Sequence, residues 1–128
     1  MKKYSVFRFR GFPVYKDSLK FISDLKTYTR KNFPKFELFG LSSQLWRALD
    51  SIVLNIAEGT DKYSKTDFSR FLNQALGSLN EVVACLDIAL QNKYITIDKH
   101  TEFINEADNL YRQLKAFSSY VRKLGKNS

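Results

Sequence analysis

Apolar residues recur at spacings of three and four along most of the chain, which is the period of an amphipathic helix and not of a strand. Four helical segments follow from this pattern, over about residues 13–31, 41–58, 65–91 and 97–124. Because the connections between them are short, successive helices should run antiparallel. The pattern therefore predicts an all-α, antiparallel up-down four-helix bundle, preceded by a short basic and aromatic N-terminal arm over residues 1–12.

The predicted helix ends carry their own local signals. Pro34 should stop the first helix, because the residue before a proline is pushed out of the helical region. Gly59 fits the left-handed position that ends a helix, and Gly125 is expected just beyond the end of the fourth. Ser64 and Thr96 are the expected N-caps of the third and fourth helices.

Positive charge is concentrated near the start of the chain. The 128 residues carry a net charge of +8, and the first 35 hold ten Lys or Arg against two Asp, whereas the remainder holds eleven of each sign. A localised positive surface attracts polyanions by counterion release. The candidate nucleic-acid-binding residues are Lys2, Lys3, Arg8, Arg10, Lys16, Lys20, Lys26, Arg30, Lys31 and Lys35.

Aromatic residues alternate with these cations in the arm. The rings are Tyr4, Phe7, Phe9 and Phe12. Rings beside cations are typical of surfaces that bind single-stranded nucleic acid. A simpler alternative is that the rings anchor the arm to the bundle and that the lysines only solvate the first helix. An anionic membrane surface is a weaker competitor, because the bundle core needs the apolar stripe of that helix.

The chain lacks the motifs of common catalytic and metal sites. It has one histidine, one cysteine, no Glu-x-x-His pair and no Walker A or Gly-x-Ser-x-Gly motif, so we expect no metal, no cofactor and no enzyme activity. Cys85 is expected to be a small buried residue and His100 a solvated surface group. No apolar run approaches the roughly 20 residues of a membrane span, and no signal peptide is evident. A single cysteine cannot form an internal disulfide, which favours a reducing cytoplasm.

Polar residues form one stripe on each of the two middle helices. The stripes are Gln44, Arg47, Ser51, Asn55 and Glu58 on the second helix, and Asp67, Arg70, Gln74, Ser78 and Glu81 on the third. Our hypothesis is a network in which one of the arginines meets Glu58 or Glu81, and the alternative is two ordinary solvated faces. Gly77 costs about 1 kcal/mol in mid-helix relative to alanine, which suggests that another backbone approaches it closely.

Several sequence blocks closely resemble one protein family. The blocks are FGLSSQLWRA at 39–48, NIAEG at 55–59, FSRFL at 68–72 and ALGSLNE at 75–81. They are similar to the "four helix bundle protein" family, whose members include proteins encoded by intervening sequences within 23S ribosomal RNA genes. The resemblance covers roughly residues 9–124.

This resemblance implies a bundle that assembles into a ring, typically a homopentamer. One relative, the accessory variability determinant of diversity-generating retroelements, partners a reverse transcriptase and binds nucleic acid. The shared motif carries over to Arg47, Ser51, Asn55, Glu58, Gly59, Arg70, Phe71, Gly77, Ser78 and Glu81. We interpret these positions as setting the geometry of the bundle and the ring.

Together these observations predict a non-enzymatic, oligomeric protein that binds nucleic acid, RNA in the first place, or serves as a ribonucleoprotein accessory module. The alternative is a protein–protein adaptor ring that docks a partner such as a reverse transcriptase without binding nucleic acid itself.

Overall fold

A computed structural model describes residues 6–62 and 64–126 of the chain. Four α-helices account for most of it: α1 (Pro13–Asn32), α2 (Leu41–Thr60), α3 (Lys65–Gln91) and α4 (Ile97–Lys126). Two short 3₁₀ helices, Arg8–Gly11 and Lys35–Glu37, precede α1 and α2. The helices end within two residues of the predicted positions.

Contacts between side chains show that neighbouring helices run antiparallel. Trp46 near the start of α2 donates to Thr29 near the end of α1, at 2.7 Å. Ser69 near the start of α3 lies 2.9 Å from Ser118 near the end of α4. Each helix packs mainly against two neighbours. The four-helix bundle prediction is confirmed.

The core runs the length of the bundle and takes its side chains from every helix. Leu25, Leu49, Leu72 and Leu114 are fully buried. Cys85 is also buried in this core, as predicted, and burial raises the pKa of its thiol. The apolar stripes that the sequence pattern indicates therefore face inward together.

Two of the predicted N-caps are present. The Ser64 hydroxyl accepts from the backbone N–H of Asp67 at 3.0 Å, and the Thr96 hydroxyl accepts from that of Lys99 at 3.1 Å. Each hydroxyl satisfies an amide that the helix itself leaves without an acceptor.

The predicted roles of Gly59 and Gly125 are wrong. Both lie inside helices, and no described glycine has a positive φ. A Cβ on Gly59 would lie 2.7 Å from the Cβ of Phe71, and one on Gly125 would lie 3.0 Å from the Cβ of Lys65. These glycines let neighbouring helices approach closely, so the missing side chain matters and a left-handed backbone does not.

The aromatic residues of the arm divide between two environments. Phe9 packs edge-on against Tyr15, and Phe12 packs edge-on against Phe117, with centroids 5.0 and 5.2 Å apart. Phe7 is more than half exposed. The anchoring alternative therefore describes Phe9 and Phe12, while Tyr4, Lys2 and Lys3 lie outside the described residues.

Candidate nucleic-acid interface

Antiparallel packing gathers four chain segments at one end of the bundle. Phe117 of α4 contacts both Phe12 before α1 and Phe68 of α3, with ring centroids 5.2 and 5.5 Å away. Gly59 of α2 packs on Phe71 of α3 at the same end. We call this end, formed by residues 6–20, 56–62, 64–71 and 112–126, the basic end. The rest of the described chain, residues 21–55 and 72–111, forms the opposite end.

Charge is strongly segregated between the two ends. The basic end carries twelve Lys or Arg and four Asp or Glu, a net charge of +8. The opposite end carries seven cations and nine carboxylates, a net charge of −2. The remaining two cations are Lys2 and Lys3. The positive excess of the described chain therefore lies entirely at one end.

Most cations at the basic end have no carboxylate partner. Lys62 pairs with Glu58 at 3.0 Å and Arg70 with Asp67 at 2.8 Å. Eight others form no ion pair within the part of the chain that the structure describes: Arg8, Arg10, Lys16, Lys65, Lys115, Arg122, Lys123 and Lys126. Unpaired exposed cations are the groups that can neutralise phosphates and release counterions.

The nucleic-acid residues predicted from the N-terminal region do not form one surface. Arg8, Arg10 and Lys16 lie at the basic end. Arg30 and Lys31 lie at the other end of α1, about 21 Å away along the helix axis for a separation of 14 residues between Lys16 and Arg30. Lys35 lies in the connector beyond them and belongs to the opposite end as well.

Two of the predicted cations are neutralised by neighbouring carboxylates. Lys20 pairs with Asp24 at 2.8 Å, and this hydrogen bond raises the pKa of Lys20. Lys26 pairs with Asp50 of α2 at 2.7 Å and lies over the Trp46 ring. Both lysines contribute less to a positive surface than their positions in the sequence indicate.

Cations of α4 complete the basic end and were not predicted from the sequence. Lys115, Arg122, Lys123 and Lys126 are all exposed. A signal for them was present, because residues 109–126 contain five Lys or Arg and no Asp or Glu. The balanced charge of residues 36–128 as a whole conceals this segment.

Exposed rings accompany the cations of α4. Tyr120 is 61% exposed, and Tyr111 is also exposed. Together with Phe7 they place aromatic faces among unpaired cations at or beside the basic end. Base stacking on such rings, combined with phosphate contacts, is how many proteins bind single strands.

The family-motif residues lie mainly along the seam between α2 and α3. The Ser78 hydroxyl donates to that of Ser51 at 2.8 Å, and the Asn55 amide donates to Ser51 at 3.0 Å. At the far end of the seam, Gln44 donates to Glu81 at 3.5 Å. The two polar stripes therefore meet, through hydroxyl and amide groups.

The predicted arginine–glutamate pairs of this seam are wrong. Arg70 pairs with Asp67 of its own helix, and Glu58 pairs with Lys62. Arg47 forms no ion pair with any described residue. A Cβ on Gly77 would meet no atom of another described helix within 4 Å, so none of the described helices approaches it closely.

His100 is less exposed than predicted. Its side chain is 16% exposed, and Nε2 lies 2.9 Å from the Asp87 carboxylate, which ties the first turn of α4 to α3. In the described ranges, no three His, Cys, Asp or Glu side chains are arranged to hold a metal ion. No helix there is long and apolar enough to cross a bilayer.

Comparison with known proteins places this chain in a family. It is similar to a protein of unknown function from the S23 ribosomal protein family of Bacteroides thetaiotaomicron, with 28% identity and a TM-score of 0.71 over 82% of this chain and 97% of that one. No curated protein matches the chain. The family model described as 23S rRNA-intervening sequence protein matches residues 10–116. This match spans most of the chain, and the protein belongs to that family.

Proposed function

We propose that this protein is a non-enzymatic accessory protein that binds nucleic acid, RNA in the first place, through its basic end. The observation that carries the proposal is the separation of +8 from −2 between the two ends of the bundle. Phosphate contacts by unpaired cations supply affinity with little sequence specificity.

Assembly would strengthen such weak contacts. The family resemblance implies a homo-oligomer, typically a pentamer, and we include this assembly in the proposal. Several basic ends on one RNA reinforce one another, because each contact after the first is intramolecular. Light scattering combined with size-exclusion chromatography measures the stoichiometry directly.

The test compares matched cations at the two ends. Lys115→Gln/Lys123→Gln removes two exposed, unpaired lysines from the basic end, and Lys31→Gln/Lys93→Gln removes two from the opposite end. We expect the basic-end variant to lose roughly fivefold to tenfold in RNA affinity at about 50 mM salt. Its log–log salt slope should become shallower by about one to two, whereas the control should stay within about twofold of the original protein.

Filter binding at about 50 and 200 mM salt measures both quantities. Equal losses in the two variants would show that charge position is irrelevant. An RNA affinity that does not change with salt concentration would show that phosphate contacts do not hold the RNA. Either result contradicts the proposal.

A second candidate function is favoured by the opposite end. Phe36 and Phe39 are 79% and 93% exposed in the α1–α2 connector, and Leu38 between them is half exposed. Adjacent exposed apolar residues are typical of protein-interaction sites. An adaptor that docks a partner such as a reverse transcriptase would retain this partner after nuclease treatment and lose it in Phe36→Ser/Phe39→Ser.

A further inference from the structure

A cavity of about 290 Å³ lies between the end of α1 and the first turn of α2. Its lining residues are Thr29, Arg30, Phe33, Pro34, Lys35, Leu38, Ser42 and Trp46. The cavity belongs to the opposite end of the bundle, so the proposed RNA-binding surface does not include it.

The first turn of α2 presents free backbone donors beside this cavity. Glu37 accepts the N–H of Leu41 at 2.9 Å through one oxygen and the Tyr94 hydroxyl at 2.9 Å through the other. Within the described residues, the backbone N–H groups of Ser42 and Ser43 have no acceptor. Free amides at a helix N-terminus, reinforced by the helix dipole, form a binding site for anions.

The side chain of Ser42 is a second, independent sign of a ligand. Ser42 is only 6% exposed, lines the cavity, and makes no hydrogen bond with any described residue. The neighbouring Thr29 hydroxyl, in contrast, accepts from Trp46 Nε1 at 2.7 Å and donates to the Lys26 carbonyl at 3.1 Å. The Ser42 hydroxyl therefore has no protein partner where it lines the cavity, and a ligand oxygen can bond to it there in place of water.

Two unpaired cations flank the same cavity. The Arg30 guanidinium lies 5.3 Å from the centroid of the Trp46 ring, and a stacked guanidinium keeps its N–H edge available for an anion. Lys35 is exposed, and neither cation forms an ion pair in residues 6–62 or 64–126. Backbone amides, a hydroxyl and two cations suit a phosphate, which has three oxygens to share among them.

The rest of the lining is apolar and aromatic. Phe33, Leu38 and Trp46 form walls against which a planar ring can pack. We propose that this cavity binds a nucleoside 5′-monophosphate, with the phosphate at Ser42, Arg30 and Lys35 and the base against the apolar walls. The same chemistry is offered by a free nucleotide and by the 5′-phosphorylated end of a strand.

Trp46 provides a direct reporter because it is the single tryptophan of the chain. Titration with adenosine 5′-monophosphate should change its fluorescence with a Kd below about 1 mM. Adenosine should bind at least about tenfold more weakly, because it lacks the charged group, and inorganic phosphate should also bind more weakly, because it lacks the base. Isothermal calorimetry with the same three probes checks the fluorescence.

Variants separate binding from folding. Ser42→Ala should weaken nucleotide binding about tenfold and leave thermal unfolding unchanged, because the hydroxyl has no partner to lose. Arg30→Gln should weaken it by a similar factor, whereas Lys16→Gln, an exposed unpaired cation at the basic end, should not. Lys115→Gln/Lys123→Gln should also leave the Trp46 response intact, which keeps this site distinguishable from the RNA-binding surface.

A comparison of 5′-phosphorylated with 5′-hydroxyl oligonucleotides identifies the source of the phosphate. A response to the phosphorylated strand alone, or to the free nucleotide alone, supports the site and names its ligand. No response to either at about 5 mM nucleotide would overturn the proposal, and so would equal affinity for adenosine or an equal effect of Lys16→Gln.

Discussion

The two ends of the bundle share the same helix packing but differ in their exposed side chains and in their net charge. At the basic end, Phe12, Phe68 and Phe117 pack inward edge-on, and the cations around them are largely unpaired. At the opposite end, Phe36 and Phe39 point outward, and the net charge is slightly negative. One fold therefore carries a positive surface and an apolar surface that are spatially separate.

This separation means that the two surfaces can act independently. A polyanion at the basic end leaves the α1–α2 connector and the Trp46 cavity open. The same separation should also appear in how substitutions at the two ends change the free energy of unfolding.

The largest contrast should come from the same substitution at the two ends. Phe117→Ala removes a ring that contacts two others, and we expect it to lower the free energy of unfolding by about 3 kcal/mol. Phe39→Ala removes a ring that is 93% exposed and should change it by less than about 0.5 kcal/mol. Urea unfolding followed by circular dichroism, at one fixed protein concentration, measures both. Equal losses would mean that Phe39 is buried by assembly.

Alanine substitutions at Gly59 and Gly77 should give the next largest difference in stability. Gly59→Ala forces a Cβ into the 2.7 Å space beside Phe71 and should cost about 2 kcal/mol. Gly77→Ala enters open space and should stabilise α3 by up to about 1 kcal/mol. Thermal unfolding of the two variants makes the comparison. If Gly77→Ala destabilised the protein only at concentrations where it is oligomeric, the predicted close backbone contact at Gly77 would exist between copies of the chain.

A smaller effect is expected at the buried serine cluster near the basic end. Ser118 bonds to Ser69 and to Asn73, both at 2.9 Å, so Ser118→Ala should cost about 1 kcal/mol. Ser78 donates to Ser51 in the half-buried seam. Ser78→Ala should cost less than about 0.5 kcal/mol, because a water molecule can take the place of the lost hydroxyl and bond to Ser51. Denaturant unfolding ranks the two, and the reverse order would contradict this reasoning.

The smallest effect concerns Glu106 at the opposite end. Burial, followed by the charges of Asp24 and Glu102, raises the pKa of Glu106 above 4.5. The folded state therefore binds this proton more tightly, so the contribution to stability is present below pH 4.5 and is lost as the pH rises through the folded pKa. Glu106→Gln should stabilise the protein by about 0.5 kcal/mol at pH 7 and give no gain at about pH 4. Melting temperatures of the variant and the original protein at the two pH values measure this gain. An equal gain at both would show that ionisation of Glu106 is not its cause.

Local signals predicted the helices well because each depends on a few neighbouring residues. The caps at Ser64 and Thr96 are examples, since a hydroxyl and an amide three residues apart must meet once a helix starts there. The roles of Gly59 and Gly125 were mistaken because both positions also fit a helix end. The deciding atoms belong to Phe71 and Lys65, on a different helix.

The candidate site was predicted only in part, for a related reason. Arg8, Arg10 and Lys16 were identified from the charge of the first 35 residues. Lys115 and Arg122 were not, because they are a hundred residues away in the sequence and join the same surface only through antiparallel packing. The pairing of Lys26 with Asp50 likewise depends on how α1 lies against α2.

The helical period, the number of helices, most of their ends and the family can be read from the amino-acid sequence, because these properties depend on neighbours along the chain. Which cations share a surface, which are neutralised and why particular positions must be glycine depend on the packing of the helices. Electrostatic and van der Waals interactions depend on distance in space, and the packing of the four helices sets that distance.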